Sequence, residues 1–133
     1  MTLPTPEDHV AITHLLARSC LTLDLDDVEG WLAGFTPDAT YEVFGRTFSG
    51  HDGLRAMVEG APGGLHLGGL PVVEVDGADR ARTRRNLLFA ERGTGAVRHA
   101  VYDDTLVRTA DGWRIAHCRC RFVVADGLAD RPD

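Results

Sequence analysis

Two side chains in this sequence are of types that move protons, and each sits where a plain surface residue is not expected. Asp24 lies in LTLDLDD (residues 21–27), a carboxylate among leucines near the end of a predicted helix. Burying an ionised carboxylate without a partner is costly. At about 100° per residue, Asp24 stacks over Ala17, Cys20 and Leu21, inside the apolar arc of that helix. If the helix runs that far, the carboxylate points at whatever the helix covers. If it ends a turn earlier, Asp24 is a solvated cap beside Asp26 and Asp27.

His66 lies in GGLHLGG, where a glycine-rich loop enters a predicted strand. Imidazole is the side chain whose unperturbed pKa suits proton transfer near neutrality, and a neighbouring carboxylate orients and tunes it. A core histidine with satisfied hydrogen bonds would look the same. Glycines on both sides let a ligand approach closely. The spacing is not a dinucleotide fingerprint, since no helix follows. GxSxG is absent, which rules out the nucleophile elbow of the α/β-hydrolases.

Two further stretches carry polar groups. In VRHAVYDDTLVRT (residues 97–109), period two puts His99, Val101, Asp103 and Thr105 on one face. Arg98, Ala100, Tyr102, Asp104 and Leu106 fall on the other. The first face reads as a partly polar cavity wall or as the wet side of an edge strand. Tyr41 shares a face with Val43, either to hydrogen-bond a carbonyl or to pack. Asp24, His66, His99 and Asp103 are ligand types that suit zinc or iron, but their spacing matches no metal motif, so no metal is expected.

These residues need elements to hold them. Thr5-Pro6-Glu7-Asp8 starts a helix, with a capping hydroxyl, proline at the first position and acids in the first turn. Ile12, Leu16, Cys20 and Leu23 continue it at helical spacing to about Asp24. Asp26 and Asp27 cap a short second helix burying Trp31, Leu32 and Phe35, which Thr36-Pro37-Asp38 ends. The period then becomes two. Residues 39–44 and 46–49 form a hairpin turned at Gly45, and residues 51–58 a small helix. Four longer strands follow, at about 65–75, 80–91, 97–109 and 113–124, separated by Asp76-Gly77, Arg92-Gly93-Thr94-Gly95 and Asp111-Gly112. Helices first and a long meander afterwards make an α+β fold. A twisted sheet of that length curls, the first helix covers its concave face, and a small-molecule pocket forms between them.

Bulk properties narrow the partners. The 133 residues fit one domain, and 44% hydrophobic with 26% charged residues is an ordinary globular mix. A net charge of −6 argues against nucleic acid and anionic membranes. The basic cluster Arg80, Arg82, Arg84 and Arg85 alternates like a strand and reads as a solvated face. No apolar run reaches the roughly 18 residues of a membrane helix, and MTLPTPEDHV lacks a signal-peptide pattern. Three cysteines suit a reducing cytoplasm better than a disulfide framework, with Cys118 and Cys120 as small core residues on one strand face. The tail from about residue 125 to 133 is expected to fray.

In this order the pieces resemble the SnoaL-like branch of the nuclear-transport-factor-2-like superfamily over about residues 6–124. LTLDLDD, WLAGFTPDATYEV, LHLGG and YDDTLVRTADGWRI carry the resemblance. It implies a cone-shaped α+β fold, N-terminal helices on a strongly curved, mixed but mostly antiparallel sheet enclosing a pocket. The closest chemical parallel is scytalone dehydratase. Its catalytic aspartate falls on Asp24, its loop-to-strand histidine on His66, and a substrate-contacting strand residue near Asp103. Its second histidine falls near Phe89 or Glu91 and its pocket tyrosine on Val43, so His99 and Tyr41 are the candidate replacements. The ketosteroid isomerase branch fits worse, because its tyrosine and aspartate fall on Ser19 and Val43. The Asp-Arg-Asp triad of the limonene epoxide hydrolase branch has no counterpart.

The resemblance implies a cofactor-independent lyase (dehydratase) or isomerase acting on a small hydroxylated carbonyl compound, such as a polyketide or steroid-like intermediate. Asp24 and His66 would be catalytic, and Tyr41, His99 and Asp103 would bind substrate. A polyketide cyclase and a non-catalytic small-molecule-binding module are the alternatives. A homo-oligomer, dimer or trimer, is expected.

Overall fold

The computed structural model describes residues 2–124 and 127–128, with side chains up to residue 123. Helix α1 spans Pro6–Asp24 and α2 spans Val28–Leu32. Then come β1 (Phe35–Val43), β2 (Arg46–Ser49) and α3 (Gly50–Gly60). The rest is strand: β3 (Gly64–Gly68), β4 (Val72–Val75), β5 (Arg80–Glu91), β6 (Val97–Thr109), β7 (Gly112–Val124) and β8 (Gly127–Leu128). Apart from Gly127–Leu128, which pairs with β7, the tail expected to fray lies outside the described residues.

The strands form one sheet in the order β2-β1-β7-β6-β5-β3, with β4 also on β5 and β8 on β7. The β1–β7 pair is parallel and the other pairs are antiparallel. Helix α1 lies across the concave face and buries Ile12, Leu15, Leu16 and Cys20 against it. Trp31 and Phe35 close one end of this core edge to face, 4.8 Å between ring centroids, with Tyr41 beside them. Helix α3 packs on β1 through the fully buried Leu54.

Local chemistry explains the element ends. The Asp8 N–H donates to Thr5 Oγ1 at 3.1 Å, and Pro6 occupies the first position, where a missing N–H costs nothing. At the other end the Leu25 N–H reaches back to the Leu21 carbonyl, so the helix includes Asp24 as its last residue. Asp27 caps α2 by accepting from the Gly30 N–H at 2.9 Å. A Cβ at Gly30 would sit 2.2 Å from the Asp27 carboxylate, so this cap requires glycine there.

Three sequence expectations are corrected. Helix α2 ends at Leu32, and Thr36-Pro37-Asp38 belongs to β1, whose ladder with β7 shifts register between Phe35 and Thr40 to accommodate the proline. The predicted strand at 65–75 is two strands. Pro71 has no N–H to donate, and Leu70 stands 95% exposed between them. The arginine cluster divides by strand parity: Arg80, Arg82 and Arg84 are exposed, whereas Arg85 is buried on the concave side with Ala81, Thr83, Leu87 and Phe89. No helix among the described residues is long and apolar enough to cross a membrane.

Candidate active site

Asp24 and His66 meet where the end of α1 crosses β3. The His66 N–H donates to both carboxylate oxygens of Asp24, at 2.9 and 3.1 Å, and His66 Nδ1 lies 2.8 Å from Oδ1. A carboxylate only accepts, so Nδ1 carries a proton, and in the neutral form of the ring Nε2 is the nitrogen with the lone pair. Both side chains keep about one sixth of their surface, 15% for Asp24 and 16% for His66. The imidazole packs on Phe89 at 4.7 Å between centroids, its register partner on β5. Backbone, carboxylate and aromatic ring together leave the imidazole one orientation.

The cavity beside this pair is lined by Cys20, Trp31, Tyr41, Arg85, Tyr102 and Asp104, among others. Its volume is about 10 Å³, room for about one water. The Tyr41 hydroxyl donates to the Tyr102 hydroxyl at 3.1 Å. Burial pushes both phenols well above their ordinary pKa, so they act as O–H groups. Arg85 Nη1 donates to the Leu16 carbonyl at 3.3 Å and approaches Cys20 Sγ at 3.4 Å, and its guanidinium lies 5.3 Å from the Tyr102 ring centroid. Gly68 makes room for it: a Cβ there would meet Arg85 Nη1 at 3.0 Å. The bare face of the LHLGG glycine is thus filled by this protein's own guanidinium.

Asp104 is 3% exposed, and neither of its oxygens accepts from a nitrogen or hydroxyl among the described residues. Burial pushes its carboxyl above the usual carboxylate value while the Arg85 charge pulls it back. The neighbouring thiols are held protonated by burial: Cys20 and Cys118 are shifted up, and Cys120 is pushed up to about 12. All three cysteines are free and buried, and none is primed as a nucleophile.

Tyr41 lines the same cavity as His66. His99 and Asp103 do not join them. The concave side of β6 carries Ala100, Tyr102, Asp104 and Leu106, so His99 and Asp103 stand on the outer face of the sheet. There His99 is exposed between Leu88 and Val123 in register, and Asp103 accepts from Arg84 Nε and Arg121 Nη2. Asp24, His66, His99 and Asp103 therefore lie on opposite sides of the sheet and share no ion. Residues not singled out from the sequence, namely Arg85, Tyr102 and Asp104, take the inward places. One signal for Arg85 was available: in RARTRRN two consecutive arginines must face opposite ways in a strand.

Comparison with known proteins follows the same lines. The family model for the SnoaL-like domain matches residues 4–119. No curated protein matches the chain. Among solved structures, an Asp-to-Asn variant of Rv3472, a protein of unknown function from Mycobacterium tuberculosis, is 28% identical, with 96% of this chain and 84% of that one covered at a TM-score of 0.83. An NTF2-like protein with a cystatin-like fold from Novosphingobium aromaticivorans is 26% identical, with coverage of 91% and 86% and a TM-score of 0.80. A protein of the same species, provisionally described as a scytalone dehydratase, is 18% identical over 97% and 93% at a TM-score of 0.79, a likeness of fold. With the family model matching most of its length, the chain belongs to the SnoaL-like family and has the NTF2-like fold.

Proposed function

We propose that this protein is a cofactor-independent lyase (dehydratase) or isomerase that works by acid–base chemistry on a small hydroxylated carbonyl compound, such as a polyketide or steroid-like intermediate. The observation that carries this reading is the His66–Asp24 bond, 2.8 Å long and largely screened from water, with His66 lining a mainly apolar cavity that also holds Tyr41, Arg85, Tyr102 and Asp104. Asp24 holds the Nδ1 proton, so Nε2 is the base. Nε2 takes the proton alpha to the substrate carbonyl, and the C–H electron pair becomes the enolate double bond. Tyr102, its hydroxyl polarised by the proton it accepts from Tyr41, turns its own proton to the enolate oxygen. In a dehydration, the β-hydroxyl then leaves with its bonding pair and takes the Nε2 proton, departing as water and restoring the neutral imidazole. In an isomerisation, the same proton returns to a different carbon. Asp24 stabilises the imidazolium in between, and the general-base step accounts for roughly 10²–10⁴-fold.

A cavity of about 10 Å³ is far below the roughly 300–1,000 Å³ of ligand pockets. Binding therefore requires α1, α2 or the side chains beneath them to move outward. The test is dehydration of β-hydroxycyclohexanone to its ultraviolet-absorbing enone by wild type, His66→Ala and Asp24→Asn. The proposal expects both variants to lose at least about 10²-fold in kcat. Equal rates in all three would remove the pair from the chemistry.

A non-catalytic binding module is the second reading, favoured by the Arg85–Asp104 floor, which serves a ligand without any proton transfer. It predicts that a bound compound is recovered chemically unchanged.

A further inference from the structure

Arg85 and Asp104 lie diagonally on the inner face of the adjacent strands β5 and β6, Arg85 in register with Tyr102 and Asp104 with Thr83, both at least nine-tenths buried and both lining the cavity. No hydrogen bond joins them. No N–H or O–H among the described residues reaches either Asp104 oxygen, which has only the weakly donating Cys118 thiol, and Arg85 Nε has no hydrogen-bond partner there. Leaving buried charged groups unpaired is among the more costly arrangements a core can hold. An anionic ligand group entering here meets Asp104, and a cationic one meets Arg85. A hydroxyl suits both, because it donates to the carboxylate and accepts from the guanidinium.

We infer that this floor recognises a neutral hydroxyl of the ligand, held between Asp104 and Arg85. The hydroxyl is a different group from the one His66 acts on: His66 packs on Phe89, whereas Asp104 stands in register with Thr83, six residues back along β5, and the Arg85 guanidinium bridges the space between, reaching toward Gly68. The ligand class is therefore a bifunctional compound, carrying a carbonyl toward the Asp24–His66 pair and an alcohol or phenol toward the floor. This identification of the substrate rests on the acid–base reading; the hydroxyl subsite itself does not. A site built around a hydroxyl rejects an analogue that lacks it, because the buried partners are then left unpaired.

The Arg85 Nε–H resonance reports on this subsite directly. Isotope-labelled wild-type protein is titrated with phenol, anisole and benzoate while that resonance is followed by heteronuclear NMR. Phenol is expected to shift it saturably, anisole to bind at least about tenfold more weakly for want of a donor, and benzoate to leave it in place. Asp104→Ala should bring phenol and anisole level. Phenol and anisole binding wild type equally, benzoate binding better than phenol, or no response to phenol would each overturn the inference. The wild-type comparison needs no variant to fold. It also involves no turnover, so a flat titration leaves proton transfer by Asp24 and His66 standing, while a failed turnover test leaves the hydroxyl subsite standing.

Discussion

The two faces of the sheet carry nearly the same residue types, one position apart in sequence, with opposite consequences. On the outer face, Arg84 and Asp103 pair directly in water, Arg121 adds a second bond to Asp103, and His117 sits between Thr40 and Glu42. On the inner face, Arg85 and Asp104 are sealed beneath α1 without bonding each other, and His66 is held by Asp24. Outside, the carboxylates are taken up by cations, and the donors left over, Arg121 Nε and Nη1, do not line the inner cavity. Inside, donors and acceptors are left over and aimed at a cavity, and that surplus is what gives a site its capacity to bind and react.

The comparison breaks if the faces do not differ in function, and the largest effect tests this first. His66→Ala should lower turnover by roughly 10²–10⁴-fold, while His117→Ala on the outer face leaves kcat unchanged. Similar losses from both would erase the distinction. Next in size is Asp103→Ala, which takes the carboxylate from buried Arg121. Stranding a buried charge costs about 3 kcal/mol or more, so chemical denaturation should show a large loss of stability with turnover per folded molecule intact. By contrast, Arg84→Ala removes a partner that is 66% exposed. It should cost under about 1 kcal/mol, and less at high salt.

The smallest effect concerns the far end of α1 and appears only in acid. The indole N–H of Trp113, with the Arg108 guanidinium beside it, holds the Asp8 carboxyl below the usual carboxylate range. A lowered folded-state pKa adds stability above the unfolded value and loses it as pH falls through that range. Melting temperatures of wild type and Asp8→Asn should therefore differ near neutrality and converge as the medium is acidified below the ordinary carboxylate value. A constant offset would contradict the assignment.

Much of this architecture can be read from local chemistry. Thr5-Pro6 starts α1, period two marks β5, β6 and β7, and the glycine turns separate them, since each signal acts over a few residues. The place of Asp24 on the apolar arc of α1 was open only in whether the helix reached it, and the Leu25–Leu21 bond answers that. What local signals do not carry is which parity of a strand faces inward. For β6 the two faces separate cleanly, but His99 and Asp103 against Tyr102 and Asp104 is decided by how β6 registers with β5 and β7, a long-range fact. The same reason hid Arg85 within an arginine run. The break at Pro71 escaped because the apolar run on either side masks it.

The most direct test of the central claim is the tautomer of His66, read from its ring-nitrogen chemical shifts in wild type and in Asp24→Asn. Wild type should carry its proton on Nδ1, with Nε2 unprotonated and facing the ligand, and loss of the Asp24 charge should weaken that preference. A wild-type ring protonated on Nε2 would leave no base where this mechanism needs one.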